Sequence, residues 1–294
     1  MDADAPIVIG GGGGSGTRVV AAVLLRLGIH LGNDRNSAED NLLFTLLFKR
    51  PRWFARAELR EFDRAIATFK RGMLRGCSPG DVPVLLGGAR DMLLHNDEYT
   101  VPRRVLWTLR RLRAAFRRPR HAGQAPGWGW KEPNSHIYLE HLARRFPRMR
   151  YIHVMRHGLD MAYSANQAQL RNWGSLYGIE HDSGGSPAAR ALQFWIRSNQ
   201  VAMRKAEQLL GARFLVVRFD DLCDRPRAEI RRLCDFVGVT VNEEELDRLA
   251  ALPQPPASRG RYRDRDLANF DDASIAAVEA LGFPVAQARR EAAA

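Results

Sequence analysis

A run of five glycines near the start of the chain constrains the fold more than any other feature. The run, Gly10–Gly14, follows the apolar segment Ile7–Ile9 and precedes Ser15–Arg18 and an apolar stretch that ends near Gly28. This order predicts a strand, a tight loop and a helix. Glycines let a loop approach a ligand closely, and the amides of the loop and of the helix N-terminus bind anions, phosphate above all. A flexible glycine-rich tail is the competing interpretation, but a tail would not be flanked by an apolar strand and helix.

The loop alone leaves its ligand open. Gly11, Gly13 and Gly16 have the G-x-G-x-x-G spacing of dinucleotide-binding loops, while Gly11 to Gly16 also has the spacing of nucleoside-triphosphate loops. Thr17 and Arg18 stand where the second pattern needs lysine followed by serine or threonine. Because no lysine is there to reach the β- and γ-phosphates, the loop disfavours a nucleoside triphosphatase.

Charge and cysteine content narrow the function classes. The 294 residues, 45% of them hydrophobic, are enough for one large or two small domains with a sizeable core. The net charge of +12 comes mostly from arginine, which suits phosphate or sulfate and also nucleic acid, an anionic membrane or an acidic substrate. The three scattered cysteines predict a reduced interior and no metal site. The N-terminus does not resemble a signal peptide and no apolar run is long enough to span a membrane, so we predict a cytoplasmic location.

Strand-like and helix-like segments alternate along the chain. After the first strand we expect strands near residues 128–131, 150–154 and 214–219. We expect helices at residues 19–27, 41–48, 51–76, 101–120, 134–145, after 158, 187–210, 225–237, 242–252 and 272–281. The pattern predicts an α/β fold with a central, mainly parallel sheet flanked by helices.

The segment from about 51 to 127 is strand-poor and basic, and it predicts a helical insertion that covers the site within a single domain spanning residues 1–294. Its part Val101–Arg120 carries eight arginines around apolar residues, as in a basic amphipathic helix. Such a helix presents either a solvated face or a surface that attracts an anionic acceptor or a membrane.

Two further groups of residues are candidates for the site. Arg156 follows a predicted strand and Ser164 comes eight residues later, a layout typical of an anion site at the carboxyl edge of a parallel sheet. The alternative for Arg156 is a surface salt bridge. Asp34, Glu39 and Asp40 follow the first helix, either as charges at the next helix N-terminus or as catalytic carboxylates.

Four stretches of the chain resemble the sulfotransferases that use 3′-phosphoadenosine-5′-phosphosulfate (PAPS). Gly14–Arg18 is similar to the family's 5′-phosphosulfate loop, and Arg156 with Ser164 to the pair that holds the 3′-phosphate. Val217–Leu222 resembles the Arg-Tyr-Glu-Asp-Leu strand end, and Ser258–Tyr262 the C-terminal loop that closes over the nucleotide. The stretch from Lys131-Glu132-Pro133 to Ser164 is also similar to tyrosylprotein sulfotransferases. The resemblance implies the P-loop-like sulfotransferase architecture.

The resemblance implies a role for each matching residue. It assigns PAPS binding to Gly13, Gly14, Ser15, Gly16, Thr17, Arg18, Arg156, Ser164, Ser258, Gly260, Arg261 and Tyr262. Lys131, helped by Arg18, would stabilise the charge that grows on the leaving oxygen, with no metal involved. Asp40, then Asp34 and Glu39, would take the proton of the acceptor hydroxyl, with His153 and His157 as further candidates. Gly14 stands where many members have a cation, so the loop is expected to bind through backbone amides.

The acceptor and the competing functions stay open at this stage. The arginine-rich 101–120 stretch and the pair Trp128 and Trp130 suggest an anionic, carbohydrate or aromatic acceptor. A nucleotide kinase would need the missing lysine, and an NAD-dependent oxidoreductase would need a strand ending near Asp34 and would leave Arg156 unexplained. A nucleic-acid or membrane-surface binding protein would account for the charge but not for the glycine loop. We therefore expect a nucleotide co-substrate and an acceptor as partners, and no nucleic acid.

Overall fold

A parallel sheet forms the centre of the protein in a computed structural model that describes residues 2–95, 100–119, 124–180 and 185–285. In these ranges, its strands are β1 (Ile7–Gly11), β2 (Gly129–Lys131), β3 (Arg150–Met155) and β4 (Phe214–Arg218), in the order β2-β1-β3-β4. All three pairings are parallel. The predicted α/β fold with a central parallel sheet is confirmed.

The register of the sheet brings distant motifs to one edge. Ile9 in β1 lies opposite Lys131 of β2, and Gly11 lies opposite Val154 of β3. The glycine loop, Lys131 and Arg156 therefore all leave the sheet at its carboxyl edge, where parallel α/β sheets bind their ligands.

Helices cover both faces of the sheet. They are α1 (Thr17–Arg26), α2 (Leu42–Phe48), α3 (Pro51–Phe54), α4 (Leu59–Leu74), α5 (Val82–His95), α6 (Val101–Ala115), α7 (Leu139–Arg145), α8 (Gly158–Ala162), α9 (Ala168–Trp173), α10 (Pro187–Leu210), α11 (Phe219–Asp224), α12 (Pro226–Val237), α13 (Glu243–Ala250) and α14 (Asp272–Ala280). One apolar core joins α1, α12 and α13 to the sheet, and a second, larger core joins α2, α4, α7 and α10 to its other face.

Helices α3–α6 lie in the segment expected to be a helical insertion. The sequence did not predict α5, because Gly87 and Gly88 interrupt its apolar pattern. A Cβ on Gly88 would lie 2.5 Å from the carbonyl oxygen of Leu46, so glycine lets α5 approach α2 closely. That the whole chain is one domain stays a prediction.

Several local expectations were wrong. The helix expected from Asn134 or Ser135 begins earlier, as a 3-10 segment, Pro133–Tyr138, which Glu132 caps by accepting a hydrogen bond from the Asn134 amide (2.7 Å). The short helix α8 ends at Ala162, so Ser164 lies in the turn that follows it. Phe219 begins α11 rather than ending a strand.

The two tryptophans of the β2 segment belong to the core. Trp128 and Trp130 are fully buried, and Trp130 stacks on Phe44 with ring centroids 5.7 Å apart. Their indole N–H groups donate inside the protein, Trp130 to Ser135 Oγ at 3.0 Å and Trp128 to the Asp2 carbonyl oxygen at 3.0 Å. The expectation that this pair faces a carbohydrate or aromatic acceptor was therefore wrong.

None of the helices in the described ranges has the length and apolar character needed to cross a bilayer.

Candidate active site

The glycine loop after β1 needs glycine for two separate reasons. Gly11, Gly14 and Gly16 have φ values of 135°, 88° and 94°, which residues with a side chain rarely adopt. A Cβ on Gly11 would lie 2.2 Å from the Val154 carbonyl oxygen, and one on Gly16 would lie 2.2 Å from a ring carbon of Phe219. Backbone conformation and packing thus both fix the loop against β3 and the end of β4.

The side chains of the loop face inward, apart from Arg18. Ser15 is buried, and its Oγ lies 2.6 Å from the Gly12 carbonyl oxygen and 2.8 Å from that of Val154. The single hydroxyl proton of Ser15 is therefore used in a hydrogen bond within the protein that holds the loop in place. Thr17 is buried and Arg18 is exposed. Backbone amides are therefore the main groups that the loop itself offers to an anion, and anion binding here stays a prediction.

Gln169, in α9, contacts the loop and was missed by the sequence analysis. Its Oε1 accepts a hydrogen bond from the Gly13 amide at 2.7 Å, and its Nε2 donates to Asn134 Oδ1 at 2.9 Å. The contact with Gly13 joins residues 156 positions apart. No local pattern could reveal it.

Arg156 is a buried cation with an unused donor. It is 5% exposed, and its Nη2 donates to Ser258 Oγ at 3.0 Å. Its Nε is buried and has no hydrogen-bond partner among the described residues. Burial lowers the pKa of Arg156, yet an arginine keeps its charge at neutral pH. A buried guanidinium with a free N–H is suited to an anion.

Asp160 of α8, the helix that follows β3, holds the segment Ser258–Tyr262 in place by hydrogen bonds. This buried carboxylate accepts the amides of Gly260 (2.8 Å) and Tyr262 (3.3 Å) and lies 3.6 Å from Arg156 Nη2. Arg261 Nη1 donates to the Tyr163 carbonyl oxygen at 3.2 Å. The structure thus brings Arg156 and the C-terminal segment together, as the sequence predicted.

Arg259, inside that segment, adds a second fastening. It reaches Asp220, at the start of α11, at 3.1 Å and Asp224, at the end of α11, at 2.7 Å. Asp220 belongs to Val217–Leu222, the stretch at the end of β4 that the sequence singled out. That stretch alone could not reveal that Arg259 is the partner of Asp220.

Ser164 and His157 lie beside this segment. The Ser164 hydroxyl accepts the Asn166 amide at 3.3 Å and forms no hydrogen bond with Arg156. The His157 ring stacks on Tyr262 at 4.5 Å, its Nε2 lies 3.3 Å from the Pro284 carbonyl oxygen, and burial lowers its pKa. His157 therefore packs the C-terminal segment, which disfavours it as a base.

Lys131 and Asp40 form an ion pair. The Lys131 Nζ, at the end of β2, donates to the Ala38 carbonyl oxygen at 3.0 Å and to the Asp40 carboxylate. The Lys131 side chain is 3% exposed and that of Asp40 is 22% exposed. The expected catalytic cation and the first choice of base are thus in direct contact, and the carboxylate is the more accessible of the two.

The other two carboxylates of this segment have different partners. Glu39 pairs with Arg35 at 2.7 Å, and Asp34 lies 2.9 Å from Arg111 of α6. Burial raises the pKa of Asp34, and the charge of Arg111 opposes that shift. Of the three candidates, Asp40 alone contacts Lys131.

Glu132 is a further residue that the sequence analysis missed. It is 3% exposed, and its carboxylate accepts two hydrogen bonds from Asn134, from the amide at 2.7 Å and from Nδ2 at 2.9 Å. Burial, reinforced by the nearby charge of Asp40, raises the pKa of Glu132 to about 7. A carboxyl group that titrates near neutral pH next to the Lys131–Asp40 pair is typical of a functional site.

His153 and His136 are core residues. His153 donates from Nε2 to Asn199 Oδ1 at 2.8 Å and accepts from the Tyr151 hydroxyl at 2.7 Å. Burial lowers the pKa of His153 to about 3 and that of His136 to about 4. His153 is thus satisfied within the core, which disfavours it as a base. Among the residues that the structure describes, no group of His, Cys, Asp and Glu is arranged to hold a metal ion.

One solved structure supports the fold, and the chain is also similar to two others. The sulfotransferase domain of the olefin synthase from Synechococcus PCC 7002 matches with a TM-score of 0.52 at 18% identity, over 96% of this chain and 95% of that one. Sulfotransferase STF9 from Mycobacterium avium has a TM-score of 0.47 at 16% identity, over 96% of this chain and 76% of that one. A sulfotransferase from Alicyclobacillus acidocaldarius has a TM-score of 0.46 at 14% identity, over 94% and 95% of the two chains.

The sequence comparisons decide the family. No curated protein matches the chain significantly. The model of the sulfotransferase family matches residues 6–243, which is most of the chain. On that match, the chain belongs to the sulfotransferase family.

Proposed function

We propose that the protein transfers a sulfuryl group from PAPS to a hydroxyl group, or an amine, of an acceptor. The observation that supports this proposal most is that the glycine loop after β1 and the buried Arg156 after β3, both of a kind suited to anions, follow adjacent strands at the same edge of the sheet. A nucleotide with phosphate groups at both its 5′ and 3′ positions needs two such sites. When bound, PAPS supplies the activated sulfuryl group.

The residues present fit this donor. The loop has backbone amides at its glycines, of which the Gly13 amide donates to Gln169 Oε1, and the buried Nε of Arg156 has no partner among the described residues. Ser258 Oγ accepts a hydrogen bond from the same guanidinium. The segment that contains Gly260, Arg261 and Tyr262 is held next to it by the hydrogen bonds of Asp160. Ser164 is one residue from Tyr163, the carbonyl partner of Arg261. We assign the 5′ end to Gly13–Arg18 and the 3′ end to Arg156, Ser164 and the Ser258–Tyr262 segment.

Lys131 and Asp40 are suited to the transfer step. A lysine ammonium has three donors, and Ala38 and Asp40 accept two of those of Lys131. The third can stabilise negative charge that develops on the leaving oxygen, an effect worth about 10²–10³ in rate for comparable donors. Asp40 can accept the proton of the attacking hydroxyl as general base. No metal is part of this proposal.

Ligand binding tests the donor assignment directly. We expect 3′,5′-diphosphoadenosine (PAP) to raise the melting temperature, and NAD and ATP to raise it much less. The substitution Arg156→Gln should abolish the PAP effect, whereas Arg204→Gln, an exposed arginine of α10, should leave it unchanged. A larger shift with NAD or ATP than with PAP would overturn the proposal in favour of an oxidoreductase or a kinase.

The cytoplasmic location stays a prediction. The three cysteines are free thiols, two of them buried, as expected for a protein of a reducing compartment. Subcellular fractionation tests it.

A further inference from the structure

A cavity of about 570 Å³ opens beside the candidate active site, between the end of α2, α3, α5 and α9. Its volume is in the range of small-molecule sites. Charged and titratable side chains around it include Lys49, Arg50, Arg52, Asp91, His95 and Arg171.

Cations predominate in the described part of the cavity wall. There, Asp91 is the one carboxylate beside Lys49, Arg50, Arg52 and Arg171, and it pairs with Arg50 at 2.6 Å. The Arg50 guanidinium also lies 4.6 Å from the ring centroid of Trp53, so this part of the wall is fixed. Arg52 donates to His95 Nδ1 at 2.7 Å, a neutral acceptor that leaves the charge of Arg52 uncompensated.

Arg171 is the cation best placed to take a ligand. Its side chain is exposed and forms no hydrogen bond or ion pair with the residues in the described ranges. It is carried by α9, two residues after Gln169, which contacts the Gly13 amide. Arginine binds carboxylate and phosphate groups in a bidentate manner.

The cavity adjoins the reacting groups. Lys49 is close enough to lower the pKa of Glu132 by its charge, and Glu132 directly follows Lys131. Gln169, in the same helix α9 as Arg171 and Asn172 of the cavity wall, contacts the Gly13 amide and Asn134. From these two links we infer that a molecule in the cavity lies beside both the donor loop and the Lys131–Asp40 pair.

We propose that this cavity binds the acceptor and that the acceptor is a small molecule carrying an anionic group, phosphate or carboxylate, next to its hydroxyl. Arg171 and Arg52 hold the anionic group. The hydroxyl oxygen bonds to sulfur, the bond from sulfur to the bridging phosphate oxygen breaks, and the hydroxyl proton passes to Asp40. PAP leaves with the bonding electron pair, so no oxidant or reductant is needed. This inference rests on the proposed function.

Matched acceptor pairs provide the test. The protein is saturated with PAP, which fills the donor site, and titrated calorimetrically with glycerol 3-phosphate against glycerol, glucose 6-phosphate against glucose, and 4-hydroxyphenylacetate against its amide. In at least one pair we expect the charged member to bind about tenfold more tightly or better, as charge-assisted hydrogen bonds require. Arg171→Gln should remove most of that preference, and Arg204→Gln should keep it.

The outcomes separate this inference from the donor assignment. If PAP binds but no charged member binds better than its neutral partner, the anionic acceptor is excluded while the sulfotransferase proposal stands. If the preference is present but unchanged in Arg171→Gln and Arg52→Gln, the cavity is excluded as its site. If PAP itself fails to bind, the donor proposal fails first.

A second surface carries an independent inference. The outer face of α6 exposes large apolar side chains beside arginines: Val101, Val105, Leu106 and Leu109 with Arg103, Arg110 and Arg113. The exposed Phe116, Arg117 and Arg118 follow the end of the helix. Residues 100–119 contain no Asp or Glu. The inner face is fixed by the buried Thr108 and Ala115 and by the Arg111–Asp34 contact.

We also propose that this α6 face binds the surface of an anionic membrane. Leucine and phenylalanine can enter the boundary between headgroups and acyl chains while arginines bind lipid phosphates. A second copy of the chain would bring like charges together, and a nucleic acid would leave the leucines exposed to water. Charge and apolar surface together favour the membrane.

Vesicle sedimentation tests this surface. We expect binding to phosphatidylcholine vesicles that contain phosphatidylglycerol, release at high salt, and little binding to pure phosphatidylcholine. The double substitution Leu106→Gln/Leu109→Gln should reduce the bound fraction severalfold with the PAP-induced stabilisation unchanged, and Leu59→Gln, an exposed leucine of α4, should not. Failure to bind the anionic vesicles, or binding only to a DNA duplex, would overturn the inference.

Discussion

At the residue scale, the contact between Lys131 and Asp40 makes the sharpest prediction about turnover. Lys131→Ala removes the donor that is free to stabilise the leaving oxygen, so kcat for transfer from labelled PAPS should fall about 10²–10³-fold. PAP affinity should change little, because Lys131 is not among the residues assigned to the nucleotide. Lys205→Ala, which breaks only a surface pair with Glu140, is the control. Unchanged turnover in Lys131→Ala would remove the lysine from the mechanism.

Asp40 and Glu132 can be told apart by their pH profiles. Asp40→Asn should lower kcat about 10²–10⁴-fold, the usual contribution of a general base. Glu132→Gln should keep much of the activity but alter its pH dependence. Burial raises the pKa of Glu132 to about 7, so the negative charge of Glu132 beside the Lys131–Asp40 pair develops through that pH, and activity should change through pH 7 in the wild type and not in Glu132→Gln. Loss of all activity in Glu132→Gln with Asp40→Asn active would reverse the two roles.

Which residues the sequence could reveal depends on where their partners lie. Lys131 and Arg156 follow strands, and their positions at the sheet edge follow from the parallel arrangement alone. Asp160 and Gln169 act through contacts with residues 100 and 156 positions away, which only the folded chain brings together. Glu132 was visible in the Lys-Glu-Pro stretch, but its high pKa comes from burial, which a single sequence does not show.

At the element scale, the glycine loop allows a matched test of backbone strain against packing. Gly16 and Gly185 share a φ of 94°, but a Cβ on Gly16 would lie 2.2 Å from the Phe219 ring, whereas nothing lies within 4 Å of one on Gly185. Gly185→Ala should lower the free energy of unfolding by about 1 kcal/mol, from the positive φ alone. Gly16→Ala should cost about 1–3 kcal/mol more, the usual cost of overpacking, and should weaken PAP binding. Urea unfolding measures both; equal losses would show that Phe219 moves aside freely.

The elements that sequence patterns predicted well are those with strong local signals. The bounds of α10 were predicted as found, because Pro187 starts it and an amphipathic pattern runs to Leu210. The strand β4 was recognised from its apolar run, though Phe219 turned out to begin α11. α5 was missed because Gly87 and Gly88 look like helix breakers in the sequence, although Gly88 is needed for the packing of α5 on α2.

At the scale of the whole molecule, the fold shows where the positive charges lie, which the composition alone could not show. The same +12 predicted an anion-binding protein of some kind. The fold places arginines in three settings: the buried Arg156 at the sheet edge, the cavity near Lys49 and the outer face of α6. We propose an anionic ligand for each, and we expect salt to weaken binding most at the exposed α6 face and least at the buried Arg156.

Buried histidines should make the stability of the whole molecule depend on pH. Burial lowers the pKa of His136 from 6.5 to about 4 and that of His153 to about 3, so the unfolded chain binds more protons than the folded one between those values and pH 6.5. The free energy of unfolding therefore rises with pH in that window, by about 3 kcal/mol for His136 alone. Glu132 acts oppositely: its pKa of about 7 lies above the ordinary 4.5, so its contribution is full below pH 4.5 and is lost as pH rises to 7. The effect of the two histidines on the free energy of unfolding is larger than the opposite effect of the one glutamate. Urea unfolding at several pH values between 5 and 6.5 should therefore show a net rise of that free energy with pH. Glu132→Gln should make that rise steeper, Glu140→Gln on the surface should not change it, and a stability that is flat or falls with pH in the wild type would contradict the neutral, buried state of the histidines.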